Sequence, residues 1–570
     1  MAEFTNNKTV DGFSVKLWRG ERMALIAMDV DHPEPDLVGF SIEVQSPGSE
    51  QFQPLRNRLN FSYDKPATAA VDGYRNYPST EAPFQKFRWI HFPYNPKGGD
   101  YAYRVTKIHM KDDGTLYQGT SITLDISLDV AVYDGFLDVG FARNYASSQA
   151  YADKYKNNPN VIPKPGQNPL RFKKVPGDVY AWLGFEAYQL IFDFLNEVAN
   201  DETLELDFFA YDFNEPDILN LLTKIGPQLR AIIDDSRDHK PPNSPESQAA
   251  RILAKSAGAD RVKRMHFSNL QHNKVLIAKR NGEAIKVLFG STNFSFRGIY
   301  IQANNVLVFR APEAAALFEE VFELAFTQPA RGFDTNPITK QWQLVQVEDK
   351  PPVHFCFSPH KSTDLSLNPV GAAIDQATSS VLFCIAFLNQ QTSGPVHDAI
   401  NALEDKNIFS YGISDKVGGL NVHKPDGSIG IVDFKYLRAN TPEPFKQEWP
   451  AGAGPKAIHE HDKFVVTDFN LPTAKVFTGS SNLSVTGEEK NGDNMVMIED
   501  PRVATSYAIE ALRIFDHLHF RTTMQKASSK KGGDSLTLRK PTAISGQPAW
   551  FEEYYVEGSQ KKNDRKLFSH

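Results

Sequence analysis

Two stretches of this chain place the same reactive residue types at the same spacing. His461-Asp462-Lys463 is followed by Gly479-Ser480-Ser481-Asn482, and His272-Asn273-Lys274 by Gly290-Ser291-Thr292-Asn293. In each, the Gly lies 18 residues after the His and the Asn 19 after the Lys, and a further Asn (Asn305 or Asn494) comes 12 residues later. A register kept over that many positions and offset by 189 residues is an internal repeat. On a strand, His-x-Lys puts both side chains on one face. An imidazole there can attack or move a proton, the lysine is a fixed cation, and an amide binds oxygens that gain charge. A single His-x-Lys would describe many half-buried strands; the doubled register sets this chain apart.

Gathered in one cleft, two His, two Lys and two Asn suit a phosphodiester. One neutral imidazole attacks phosphorus and becomes a phosphohistidine. The other protonates the leaving oxygen, then takes a proton from water or an alcohol. An imidazole pKa near ~6.5 serves both jobs. The scheme needs no cofactor and no metal, because Lys274 and Lys463 supply the positive charge. A metal pair of His459 and His461 lacks a third ligand at suitable spacing.

These residues resemble the phospholipase D superfamily, whose signature is His-x-Lys-x4-Asp with a downstream Gly-Ser-x-Asn. The second copy matches in full, with Asp468 in place, and the first holds Lys279 at that position. The resemblance runs from roughly Gly140 to Phe520. It implies one site shared by two halves, with His272, Lys274 and Asn293 from the first and His461, Lys463, Asp468 and Asn482 from the second. It also implies that each His is oriented by a residue just past the Gly-Ser element of the opposite half. Those positions, 32 residues after each His, hold Asn304 and Asp493. Crossed over, Asp493 serves His272 and Asn304 serves His461, which makes His272 the nucleophile and His461 the acid. Tyrosyl-DNA phosphodiesterases are similar in pairing an amide with an acid.

The elements that must position these residues form an α/β fold: two phospholipase D-like α/β/α repeats packed with pseudo-two-fold symmetry, after an N-terminal all-β domain. Residues 1–135 read as a β-sandwich-like accessory domain, with short alternating runs between Gly, Pro, Asp and Asn clusters. Trp18, Trp89, Phe92 and Tyr103 are expected in its core. Residues 140–333 and 350–523 are the two halves, in which apolar strands alternate with helices. Closing helices are expected at 313–326 and 504–520. Residues 524–570 form a tail, partly disordered around KASSKKGGDS, with Lys530 and Lys531 in a solvated linker and AWFEEYYV docking as a strand. The Pro- and Ser-rich stretch 234–247 reads as an exposed loop. His266, Asn269, Gln271, His459 and Glu460 are expected at the cleft mouth.

Composition narrows the classes further. The 570 residues are 41% apolar and 23% charged, as in a globular protein. The longest apolar run, Val381 to Leu388, is too short to cross a bilayer. Two cysteines cannot make a disulfide framework. No leader pattern opens the chain, so the cytoplasm is the default location, with secretion left open. A monomer is expected. The net charge of −7 argues against a dedicated duplex binder. A local basic run, Arg251 to Arg280, could still draw an anion to the site. Two fused, non-identical repeats, acidic charge and 40 Phe favour a phospholipid substrate, hydrolysed or transphosphatidylated. The alternatives are a metal-independent nuclease or DNA phosphodiesterase, and a catalytically decayed phosphate-binding scaffold.

Overall fold

The computed structural model describes residues 4–63, 76–129, 132–164, 166–327, 332–362, 364–386, 388, 391–416, 419–424, 429–433, 444–445, 461–528 and 536–570. Two large mixed sheets dominate it. The first has seven strands in the order Leu137–Phe141, Asn305–Phe309, Glu283–Gly290, Val275–Arg280, Leu204–Ala210, Leu229–Asp234, Val262–Met265. The second has nine, and six of them repeat that order: Val353–Ser358, Asp493–Ile498, Lys475–Gly479, Lys463–Thr467, Ser380–Ile385, Phe409–Lys416. Directions repeat too. Leu204–Ala210 runs parallel to Leu229–Asp234 and antiparallel to Val275–Arg280. Ser380–Ile385 stands in the same relation to Phe409–Lys416 and Lys463–Thr467. The second sheet adds edge strands at Gln343–Val345, Gly419–His423 and Ile429–Asp433.

The central strands are near-continuous apolar runs because helices cover them. Pro312–Thr327 packs on Glu283–Gly290, Val179–Asn200 on Leu137–Phe141, and Pro501–Ser528 on the second sheet. Each His-x-Lys leads into or begins a central strand, and each Gly-Ser ends the next one. The glycine is required there. Gly290 and Gly479 have φ of 151° and 134°, and an added Cβ would lie 2.4 Å from the carbonyl oxygens of Asn305 and Asn494.

Before these sheets come two four-stranded sheets that make the sandwich. One is Thr5–Val10, Phe13–Arg19, Ala24–Val30 and Arg88–His91; the other is Leu116–Ser127, Asp100–Met110, Leu37–Gln45 and Gln53–Pro54. Its inner faces supply Phe13, Phe40, Ile42 and Tyr103 to one core. Trp18, Met23 and Leu25 belong instead to the large core of the two repeats, so the sandwich is packed onto them.

Several elements differ from the sequence expectation. AWFEEYYV docks as turns with a 3-10 turn at Glu552–Tyr554, not as a strand. It still docks: Trp550 donates to the Leu37 carbonyl at 2.9 Å and packs on Phe87. An aromatic run that short has no period by which to choose between strand and turn. The second closing helix extends to Ser528. Stretch 234–247 is exposed at Arg237, Asp238 and residues 240–243, as expected, but its two ends are anchored by buried Asp234, Ser236, Ser244, Glu246 and Ser247. Lys530 and Lys531, with the end of KASSKKGGDS, lie outside the described residues.

Candidate active site

The two imidazoles are held from across the repeat axis. His272 Nδ1–H donates to Asp493 Oδ1 at 2.7 Å, and His461 Nδ1–H donates to Asn304 Oδ1 at 2.7 Å. Asn304 is locked in that orientation because its Nδ2 donates to the Gly298 carbonyl. With Nδ1 engaged as donor, each ring keeps its Nε2 lone pair. The serine of each Gly-Ser completes the mounting. Ser480 Oγ donates to Asp493 at 2.6 Å and Ser291 Oγ to Asn304 at 2.9 Å. Each half therefore positions the other half's histidine.

A second pair of bonds joins the halves through the middle residue of each His-x-Lys. Asn494 Nδ2 donates to Asn273 Oδ1 at 2.8 Å, and Asn305 Nδ2 to Asp462 Oδ1 at 2.9 Å. Backbone adds to this: His272 N–H donates to the Gly492 carbonyl and Gly492 N–H to that of Leu270. Lys463 Nζ donates to the His461 carbonyl at 2.6 Å, and Lys274 makes the same contact with His272. The side-chain oxygens of Asn293 and Asn482 are buried and find no hydrogen-bond partner among the described residues.

Residues 202–325 and 370–515 match a family model described as "Cardiolipin synthase, PLD-like domain", one segment for each half. Each half is thus similar to a phospholipase D-like domain. Similar solved structures include the polyphosphate kinase of Porphyromonas gingivalis (10% identity, TM-score 0.37), over 63% of this chain and 50% of that one. The present chain thus spans about half the length of that kinase. The phosphatidylserine synthase of Haemophilus influenzae matches at 12% identity and TM-score 0.41, over 58% of this chain and 84% of its own. Nuc of Salmonella typhimurium, a phospholipase D family member, matches at 24% and 0.20, over 25% and 88%. No curated protein matches the chain.

The site is deeply enclosed: His272 and His461 are each 4% exposed, Lys274 1% and Lys463 0%. Burial pushes the His272 imidazole down to about 4, with Lys274 and Lys463 adding to the shift and Asp493 opposing it. His461 is also pushed well down by burial and by the charges of Lys463, Lys274, His272 and Arg297. The bonds of His272 to Asp493 and of His461 to Asn304 are what tie the two halves' groups together. Burial works to raise Asp493, but His272 and Lys274 hold it below the usual carboxylate range.

Asp468 is not brought to this centre. It follows Lys463–Thr467 at the far end of the strand, roughly 17 Å from Lys463 at 3.3 Å per residue. Its carboxylate accepts from the backbone N–H groups of Thr378, Ser379 and Ser380 at 3.0, 2.7 and 3.2 Å. The expectation of a catalytic Asp468 is corrected on that ground: it joins two strands. Lys279, at the same register, is structural too, lying 3.3 Å from Asp207 on the neighbouring strand and 3.3 Å from Glu319 on the helix Pro312–Thr327. The basic run 251–280 is engaged only in part, with Arg251, Lys255 and Arg280 exposed. Arg264 donates to the Ile233, Asp234 and His239 carbonyls, Lys263 to that of Phe326, and Arg280 pairs with Asp201. Gln271 is fully buried and holds Asn273 N–H, so it does not line the mouth. Asn269 is half-buried and bonds Asn491, His266 is exposed, and His459 and Glu460 lie outside the described residues.

Sequence reasoning missed Ser291 and Ser480, although both stand at the repeated register. It also missed Tyr211, whose ring lies 4.7 Å from that of His272 and 4.8 Å from Lys274 Nζ. Nothing but its place just past the strand Leu204–Ala210 could have pointed to it.

Proposed function

We propose that this chain is a phosphodiesterase of the phospholipase D type that hydrolyses or transphosphatidylates phospholipids through a phosphohistidine at His272. The observation that carries the reading is the crossed pair of bonds, carboxylate to His272 and amide to His461. In the first step the Nε2 lone pair of His272 attacks phosphorus. The bond to the leaving oxygen breaks as His461 delivers a proton to it. Asp493 bears the charge of the imidazolium formed. In the second step His461 takes a proton from water or an alcohol, whose oxygen attacks phosphorus and breaks the P–N bond. Lys274, Lys463, Asn293 and Asn482 stabilise the phosphoryl oxygens, and losing one such group costs about 10²–10³ in rate.

The inward use of Lys263, Arg264 and Lys279, together with the net charge of −7, supports lipid over nucleic acid, with Arg251, Lys255 and Arg280 left exposed. The test is a panel of phosphatidylcholine, phosphatidylglycerol, single-stranded DNA and bis-p-nitrophenyl phosphate, each run with and without excess EDTA. Head-group release with intact DNA is expected. Degraded DNA with intact lipid would reverse the substrate class, and failure on every phosphodiester would overturn the reading.

A further inference from the structure

Beside the His272 wall of the cleft, three ligand-type side chains converge from three separate elements. Asp212 follows the strand Leu204–Ala210, His239 closes the 3-10 turn Arg237–His239, and Glu246 sits in the first turn of the helix Pro245–Ala257. One ligand atom from each lies within 4.8 Å of the others. His239 Nε2 is 3.9 Å from Glu246 Oε1. We propose that Asp212, His239 and Glu246 bind one divalent transition-metal ion of the zinc or manganese kind, which fastens the 234–247 segment to the strand end that carries Tyr211.

Two observations on this chain point to a cation. The first is how the histidine is mounted. Its Nδ1–H donates to Oδ2 of Asp234 at 2.8 Å, and Asp234 is fully buried and also accepts from Ser236 and from Gln271 N–H. That fixes the tautomer and aims the free Nε2 at the two carboxylates, as a carboxylate behind a ligating imidazole does in metal sites. The second is charge. Among the described residues, neither Asp212 nor Glu246 forms an ion pair with a lysine or arginine, although Glu246 is 2% exposed. Arg264 is close, but its guanidinium is committed to the Ile233, Asp234 and His239 carbonyls and to Ser247 Oγ. The other group of convergent acids, Asp207, Glu319 and Glu323, shows the contrast: Lys279 and Arg230 neutralise it. Glu246 accepts from Phe213 N–H and the half-buried Asp212 from Asn214 Nδ2, neutral donors that leave the two facing carboxylates in need of a positive charge.

One imidazole nitrogen with two carboxylate oxygens favours zinc or manganese over magnesium and calcium, which prefer all-oxygen shells. The ion would act on position rather than on the phosphodiester. Tyr211, the residue before Asp212, packs its ring 4.7 Å from both His239 and His272. A bound ion would therefore hold one wall of the His272 pocket, and no step of phosphoryl transfer runs through it.

The test uses the full chain after chelator treatment and dialysis. Calorimetric titration with zinc chloride should show one equivalent bound, and zinc should raise the thermal unfolding temperature of the wild type. Asp212→Asn, at a half-exposed position that should fold normally, should weaken zinc binding at least tenfold and lose most of the thermal shift. His239→Gln should do the same. Zinc without effect on wild-type unfolding would show that a protonated His239 pairs with Asp234 and Glu246 instead, and would overturn the proposal. So would one-equivalent binding that is undiminished in Asp212→Asn. The readouts are binding and unfolding, so they stand or fall separately from the phosphodiesterase reading.

Discussion

His272 and His461 differ in the partner each meets: a carboxylate oxygen from Asp493 against an amide oxygen from Asn304. A carboxylate stabilises an imidazolium and an amide only orients the ring, so the two histidines share a geometry but not a basicity. Asp493→Asn should leave the fold intact and lower kcat by about 10³–10⁴, as expected when a triad carboxylate becomes an amide that permits the wrong tautomer. A loss under tenfold in steady-state turnover would show that Asp493 is not what makes His272 reactive. The pH profile follows from the same pair. Both imidazoles are pushed below 6.5, His272 to about 4, so near neutrality His272 is ready to attack while His461 is mostly unprotonated. For a poor leaving group, which needs the proton, kcat/KM should fall about tenfold per pH unit between roughly pH 6.5 and 8.5. For p-nitrophenolate, which does not, it should stay nearly flat. Equal slopes for the two substrates would remove His461 from the acid role. Because the two rings sense each other, the limb reports the pair rather than one residue.

At the scale of elements, the repeat was legible because strand-borne chemistry leaves a fixed register: His, Lys, Gly and Asn recur at the same offsets, and the sheets repeat their order with them. The Gly could be read as structural only once its φ and the opposing carbonyl were seen. Asp468 shows the limit of a motif. Its spacing marks the end of a strand, and only the amides of residues 378–380 reveal that its work is done there. Asp468→Ala should cost about 1.5–3 kcal/mol of stability for the lost charge-assisted bonds. Turnover per folded molecule should stay close to wild type, measured by denaturant unfolding beside active-site-normalised kinetics. A hundredfold fall in turnover at unchanged stability would return Asp468 to the site. The 234–247 stretch is exposed in its middle as its composition suggests, while the burial of its ends is decided by partners such as Gln271 N–H that lie far along the chain. The same holds for AWFEEYYV, whose anchor is the Leu37 carbonyl.

Across the whole molecule, the tail fastens the sandwich to the second repeat. Trp18 Nε1 donates to the Phe568 carbonyl at 2.8 Å, Lys566 pairs with Asp29 at 2.7 Å, and the Phe568 ring packs on Phe409 and Phe469. Burying that one phenyl ring contributes about 1.5–3 kcal/mol. Where the sandwich meets the first repeat's helix Val179–Asn200 lie two carboxyl groups, Glu21 and Glu186, 2% and 5% exposed. Arg22 Nε lies 3.6 Å from Glu186. Burial, and for Glu21 the charge of Glu186, raises both well above the ordinary glutamate value. An acid raised in the folded state contributes stability that is fully present below the unfolded value of about 4.5 and is lost as pH climbs through the folded one. Denaturant unfolding at pH 5, 7 and 9 should therefore show wild-type stability declining with pH, and declining less in Glu21→Gln. Parallel curves would place the pair's titration outside folding. The joint that matters most for function is the one between the repeats, where each half orients the other's histidine. Its most direct test is His461→Ala mixed with bis-p-nitrophenyl phosphate, quenched in alkali, digested and read by mass spectrometry. The account predicts a phosphoryl adduct that accumulates on His272 and no adduct at all in His272→Ala. An adduct on His461 in the His272→Ala protein would contradict it.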